Sequence, residues 1–363
     1  MLVCSVIPLS RLISEHIRQH GPLPWAEVMQ RALYDPQQGY YGAGPKRLGR
    51  EGDFFTSVQV GGLYGRLLAQ LAMLTAGQFP LSTPPLLIEQ GAHDGRLAAD
   101  ILEHCPLDCI LVEPNPAFQA AQAVTLQRFA ARVRWVTCMS QLPQRPALWI
   151  CNELIDAFAV HRLQWQDGSW WELAVGLDSK GDLCWTKQDL SPELLARVQP
   201  LDGPWLEGQC IEINLAASRW LQQVAQSPFY GRLLIADYGM DQESLYSPER
   251  PQGTLRRYQQ HRCDDHLLDD LGQCDLTSHV NFSQLRNDAL KLGLRIEEDS
   301  PQGLWLTRLA RPWIESMEGK PPSPTQLAQL RQFQMLTHPS HLGASFRILS
   351  LWKDGPINPG CHG

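Results

Sequence analysis

Four short apolar runs, Leu86-Leu-Ile-Glu89, Cys109-Ile-Leu-Val-Glu113, residues 133–137 and Leu148-Trp-Ile-Cys151, alternate with stretches of helical periodicity. Strands apolar at consecutive positions are buried on both faces, and strands joined through helices pair in parallel, so this rhythm limits the chain to an α/β sheet with crossover helices. One helix is expected over 96–104, where Leu97, Ile101 and Leu102 share a face, and another over 117–130. After a helical pattern at 214–226 the rhythm resumes with Leu233-Leu-Ile-Ala-Asp237. The expected fold is a Rossmann-like sheet.

Between the fourth and fifth runs the pattern changes. Gln166-Asp-Gly168 is a two-residue hairpin signal between apolar stretches at 159–164 and 170–175, so an antiparallel β insertion is expected at about 159–210. Residues 240–277 are polar and irregular and read as a second insertion, either a lid or an unstructured loop. Late strands are expected at 294–298, 303–309 and 346–352, with a helix at 326–333. Short amphipathic helices at 12–18 and 25–33 open the chain. The division expected is an N-terminal helical and loop segment, 1–80, packing over the active site, and a Rossmann-like domain, 81–363, carrying both insertions.

Composition narrows the function. Acids outnumber Lys and Arg, 38 to 31, for a net charge of -7, which argues against a nucleic-acid partner. No apolar run reaches the roughly 20 residues that span a bilayer, so no integral membrane association is expected. The ten cysteines never form C-x-x-C, and no two of His93, His161, His261 and His279 stand at H-x-x-x-H or H-E-x-x-H spacing. No metal and a reducing, cytoplasmic location follow as expectations. A G-x-S-x-G hydrolase elbow is also missing from the sequence.

The chemistry is expected in the loop Glu89-Gln-Gly-Ala-His-Asp-Gly95, between the first strand and its helix. Glycines there let main-chain amides approach a nucleotide-like ligand at a helix N-terminus. Glu113 ends the next strand, where a carboxylate can accept the two hydroxyls of a ribose. Asp94 occupies the place at which a dinucleotide fingerprint has its third glycine, and an acid there repels a pyrophosphate. Glu89 and Asp94 instead suit a cation, which favours S-adenosyl-L-methionine, with its sulfonium and ammonium, as cofactor. Glu89, Gly91, Gly95 and Glu113 are the cofactor candidates. Asn152-Glu-Leu-Ile-Asp156 follows the fourth strand; if a helical turn starts there, Glu153 and Asp156 share a face and can grip a guanidinium, while the plainer reading is a helix capped by Asn152.

Several motifs in order resemble the MidA-like methyltransferase family, bacterial relatives of the mitochondrial complex I assembly protein-arginine methyltransferase. They are Tyr34-Asp-Pro36 with Gly39-Tyr-Tyr41, Gly52-Asp-Phe-Phe-Thr-Ser57, the 89–95 loop, Asn152-Glu-Leu-Ile-Asp-Ala157, Asp237-Tyr-Gly239, Gly253-Thr-Leu-Arg256 and Asp275-Leu-Thr-Ser-His-Val280. The resemblance implies a class I S-adenosyl-L-methionine-dependent methyltransferase acting on a protein arginine, of a respiratory complex I subunit in the characterised case. It implies an acceptor site lined by 52–57 and 152–156, with Asp53, Asn152, Glu153 and Asp156 as catalytic candidates. The chain departs from the family pattern at His93, which stands in place of a glycine, at Val58-Gln59 in place of Pro-Glu, and at Ala159 in place of proline. Position 93 therefore frames the alternative, an inactive assembly or binding protein that keeps the fold.

Overall fold

A computed structural model describes residues 7–42, 44, 56–259, 262–319 and 321–356. It divides into two compact units. The larger comprises 56–154, Trp220–Gly239 and the described part of the chain from Phe282 on.

Its strands are β1 (Leu86–Gln90), β2 (Cys109–Val112), β3 (Val133–Val136), β4 (Pro146–Asn152), β5 (Tyr230–Met240), β6 (Arg295–Pro301) and β7 (Phe346–Lys353). They lie side by side in the order β6-β7-β5-β4-β1-β2-β3. The pairs from β5 through β3 are parallel, and β7 runs antiparallel to both β5 and β6. The order reverses between β1 and β4, whose carboxyl ends lie abreast with Gln90 opposite Cys151. Open α/β sheets place their ligands at that reversal.

The continuous apolar runs have the cause read from the sequence: every residue of β2 and β4 is buried. Leu87, Leu111, Leu148, Ile150 and Leu234 of the strands form one core with Leu63, Leu67 and Leu68 of α1 (Leu63–Ala76) and Leu97 and Ile101 of α2 (Arg96–Leu102). A third helix, α3 (Pro116–Thr125), begins at a proline, and Asn115 Oδ1 caps it by accepting the Ala117 amide at 2.9 Å.

The smaller unit contains the described part of the first 54 residues with Ile155–Arg219 and Met240–Asn281. The helices Leu9–His20 and Trp25–Tyr34 pack in its core, against Val160, Val175 and Leu276 among others. The expected antiparallel β insertion is present: His161–Gln166, Ser169–Leu177, Leu183–Gln188 and Cys210–Ile213 form a five-stranded sheet with Leu23–Pro24. Asp167 (φ 51°) and Gly168 (φ 78°) are both left-handed at the hairpin, the geometry that matches strand twist.

Two readings need correction. Residues 240–277 are not irregular: Arg256–Gln259, Arg262–Asp264 and Asp275–Thr277 make a three-stranded antiparallel sheet. Its apolar residues are few and scattered among charges, yet Leu255, Leu267, Leu271 and Leu276 are buried, and Arg257 binds both Asp264 and Asp270. The stretch 303–309 is helix (Gln302–Leu309), not strand. Gln302, Gly303, Trp305 and Leu306 are its buried positions, a helical spacing within a run too short to reveal its period. Among the described residues no helix is long and apolar enough to cross a membrane.

Candidate active site

The 89–95 loop leaves β1 through three left-handed residues, Gly91 (φ 78°), His93 (φ 45°) and Gly95 (φ 82°). A Cβ on Gly91 would lie 3.0 Å from Leu154 Cδ1, so the loop after β1 is braced against the turn after β4. At His93 the backbone keeps a glycine-like turn despite the side chain. The imidazole packs edge-on against Phe118 of α3, ring centroids 5.6 Å apart, and its Nδ1 stands 4.0 Å from Asp94 Oδ1. Asp94 itself turns to the start of α2, accepting the Arg96 amide at 3.1 Å and the Arg96 guanidinium at 3.2 Å. Burial pushes the Asp94 carboxyl up, but the neighbouring His93 and Arg96 outweigh it and hold it below the usual range. That acid is already matched by the Arg96 guanidinium.

Glu89 is not matched. It is 2% exposed, and its Oε2 is buried with no hydrogen-bond partner. Burial and then the charge of Asp94 push its carboxyl up to about 8, with the Ala98 amide pulling the other way. Glu113, at the end of β2, is buried and pushed upward by the same desolvation, against hydrogen bonds from Asn115 and Gln122. Its Oε1 accepts the Asn115 amide at 2.8 Å and its Oε2 accepts Gln122 Nε2 at 3.2 Å. A buried carboxyl with one unpartnered oxygen, glycine turns and a fixed strand-end carboxylate fit a cationic, hydroxylated nucleoside cofactor.

The turn after β4 is not helical, so the shared helical face of Glu153 and Asp156 does not exist, nor does the helix that Asn152 would cap. Glu153 has φ 52°, and its amide extends the ladder to the Ala236 carbonyl at 2.9 Å. Asn152 ends the strand with its side chain spanning two groups: Oδ1 accepts Tyr64 Oη-H at 2.8 Å and Nδ2 donates to Glu153 Oε1 at 2.9 Å. That same Glu153 oxygen accepts the Ser57 amide at 3.3 Å, and the Leu154 amide donates to Asp237 Oδ2 at 3.2 Å. A non-glycine residue held left-handed costs on the order of 1 kcal/mol, and it is this network that holds it. Ser57 Oγ in turn meets Gln302 Oε1 at 3.3 Å.

The sheet unit thus brings Glu89, Gly91, Gly95, Glu113, Asn152 and Glu153 to one edge of the sheet. Asp156 belongs to the smaller unit, where it is buried and its carbonyl accepts the Ser278 amide at 2.9 Å. Its charge helps to raise the hydroxyls of Tyr34, Tyr41 and Tyr258, although burial is the larger cause at all three, and Tyr41 Oη donates to Asp275 at 2.9 Å. Asp53 lies outside the described residues. Tyr64, Gln122 and Gln302 escaped the sequence reading. For Gln122 a signal existed, a primary amide within the apolar stripe Phe118, Gln122, Leu126, all buried. Among the described residues no group of three His, Cys, Asp or Glu is placed to hold a metal ion.

A family model described as "Putative S-adenosyl-L-methionine-dependent methyltransferase" matches residues 67–298. The chain is 27% identical over 384 residues to the Drosophila melanogaster mitochondrial protein arginine methyltransferase NDUFAF7 homolog, covering 95% of this chain and 84% of that protein. It is 26% identical to NDUFAF7 of Rattus norvegicus, covering 99% and 87%. A Burkholderia thailandensis crystal structure with S-adenosyl-homocysteine bound is similar over 98% of this chain and 95% of that one, at 25% identity and a TM-score of 0.84.

Proposed function

The chain belongs to this family of S-adenosyl-L-methionine-dependent methyltransferases, and from that premise we propose that its acceptor is an arginine side chain of a protein. The observation that carries the proposal is the Glu153 carboxylate at the end of β4, its Oε1 fixed by the Ser57 amide and the Asn152 side chain. The names of the relatives, protein arginine methyltransferases, support the same acceptor. Asp53 and Asp156 enter the proposal from the sequence alone.

The bound cofactor supplies an electrophilic methyl group on sulfur. The task left to the protein is to align the acceptor nitrogen and keep its lone pair free. Gly91 and Gly95 bring the main chain close to the cofactor, and Glu113 accepts hydrogen bonds from its ribose hydroxyls. Burial holds the Glu89 carboxyl at about 8, and a cation facing it would favour its charged form. Glu153 accepts two guanidinium N–H bonds and draws positive charge away from the remaining nitrogen. Asn152 and Tyr64 keep that carboxylate from swinging. The buried thiols of Cys105, Cys109, Cys151, Cys210 and Cys274 are raised by burial and stay protonated, which suits the reducing, cytoplasmic compartment that belongs to the same proposal.

The test is transfer of labelled methyl groups from S-adenosyl-L-methionine to arginine-bearing proteins, followed by acid hydrolysis and separation of the methylated amino acids. Methylarginine is expected, with Glu153→Gln cutting its yield at least about tenfold while cofactor affinity stays within about threefold. Label on lysine, or no transfer by a protein that binds the cofactor normally, would overturn the acceptor assignment.

A further inference from the structure

We propose that Gln122 is a positioning residue for the cofactor: its side-chain amide ties the Glu113 carboxylate to the 89–95 loop, and Trp135 sets which end of the amide faces them. Gln122 is 0% exposed on α3. A primary amide taken out of water is tolerated only when its polar groups are bonded, and both ends of this one are. Nε2 donates to the His93 carbonyl at 3.0 Å and to Glu113 Oε2 at 3.2 Å; Oε1 accepts Trp135 Nε1-H at 2.9 Å. The three partners determine the orientation without ambiguity. An indole nitrogen only donates, a carbonyl and a carboxylate only accept, and flipping the amide would set donor against donor and acceptor against acceptor.

The clip joins successive parts of the sheet unit: the loop after β1 through His93, the end of β2 through Glu113, α3 through Gln122, and β3 through Trp135. Gly95 records the closeness of this approach independently, since a Cβ there would stand 3.2 Å from Leu126 Cδ1 and 3.4 Å from the Gln122 backbone. With the Asn115 amide on Oε1 and Gln122 on Oε2, each Glu113 oxygen has one fixed donor and retains a lone pair. The carboxylate is therefore aimed before any ligand arrives, with acceptor capacity left for vicinal hydroxyls. This inference rests on the proposed role of Glu113 as the ribose acid and adds the group that aims it.

The test compares binding of S-adenosylhomocysteine and its 2′,3′-dideoxy counterpart to the full chain by calorimetry, for the parent protein and for Gln122→Met, Trp135→Phe and Glu113→Gln. The parent is expected to prefer the hydroxylated ligand. Gln122→Met should weaken that ligand at least about tenfold and the dideoxy compound less than about threefold, because the lost bond to Glu113 is felt only through the hydroxyls, whereas the lost bond to the His93 carbonyl loosens the loop for both ligands alike. Trp135→Phe should narrow the preference in the same direction by roughly threefold, and it carries the test should Gln122→Met fail to fold. With Glu113 already changed to Gln, adding Gln122→Met should cost little more. Equal loss of both ligands in the Gln122 and Trp135 variants, with the preference intact, would reduce Gln122 to a packing role and overturn the inference. A preference untouched by Glu113→Gln is a different failure: it removes Glu113 from the ribose, and the inference falls with it.

Discussion

Glu89 is a residue whose charge state the fold controls within the ordinary pH range. Burial, then Asp94, lift its carboxyl from the ordinary value near 4.5 to about 8. A carboxyl raised on folding binds its proton more tightly in the native state, so its favourable contribution is complete below about 4.5 and is lost as pH rises through about 8. In the cofactor-free protein, Glu89→Gln is expected to flatten the dependence of denaturant stability on pH across that window; a parent-like slope in the variant would mean another group is responsible. His93 makes a second residue-scale case. Its backbone is left-handed at φ 45°, which histidine tolerates better than most side chains and β-branched residues tolerate poorly. His93→Gly should bind S-adenosylhomocysteine within about threefold of the parent, whereas His93→Val should lower stability by about 1–2 kcal/mol and weaken binding. Loss of binding in the glycine variant would give the imidazole a direct part in holding the ligand.

At the scale of elements, the ends of β1 and β4 are held more tightly than the sequence reveals. Tyr64 of α1 reaches Asn152 through a buried hydroxyl bond, 2.8 Å long, and Asn152 passes the constraint to Glu153. Tyr64→Phe removes only that oxygen, so a stability loss of about 1–2 kcal/mol by denaturation is expected, with a fall in methyl-transfer rate at nearly unchanged cofactor affinity. A variant with parent-like rate would show that Glu153 does not need this support. The parallel strands were legible because continuous apolar runs are what two-sided burial requires, and β2 and β4 are buried at every residue. Gly91, Gly95 and Glu113 were legible as loop and strand-end residues for the same reason. The Asn152–Asp156 turn was not, because a left-handed glutamate depends on partners from Ser57 and Ala236, which are remote in sequence. Gln302–Leu309 was misread for want of length, and Arg256–Thr277 because a few leucines scattered among charges leave no period to read.

For the molecule as a whole, the strand order matters more than any strand. The reversal between β1 and β4 sets the 89–95 loop beside the Asn152 turn, and pairing of β1 with β2 sets Glu113 on the other side of it. The residues proposed to hold cofactor and acceptor thus occupy different strand ends of one sheet, and their effects on ligand-linked stability should separate. A ligand bound only by the native state at 100 times its Kd adds about 2.7 kcal/mol, which for a chain of this size is a rise of a few degrees in the melting midpoint. S-adenosylhomocysteine should produce that rise in the parent and in Glu153→Gln alike, because Glu153 is assigned to the acceptor. Glu113→Gln should shrink it at the same ligand concentration, by about 1.4 kcal/mol for each tenfold loss of affinity. NADH should give none, since the loop Glu89-Gln-Gly-Ala-His-Asp-Gly95 lacks the G-x-G-x-x-G spacing that brings main-chain amides onto a pyrophosphate. A shift abolished by Glu153→Gln and kept by Glu113→Gln would exchange the two assignments and place the cofactor over β4 instead of between β1 and β2.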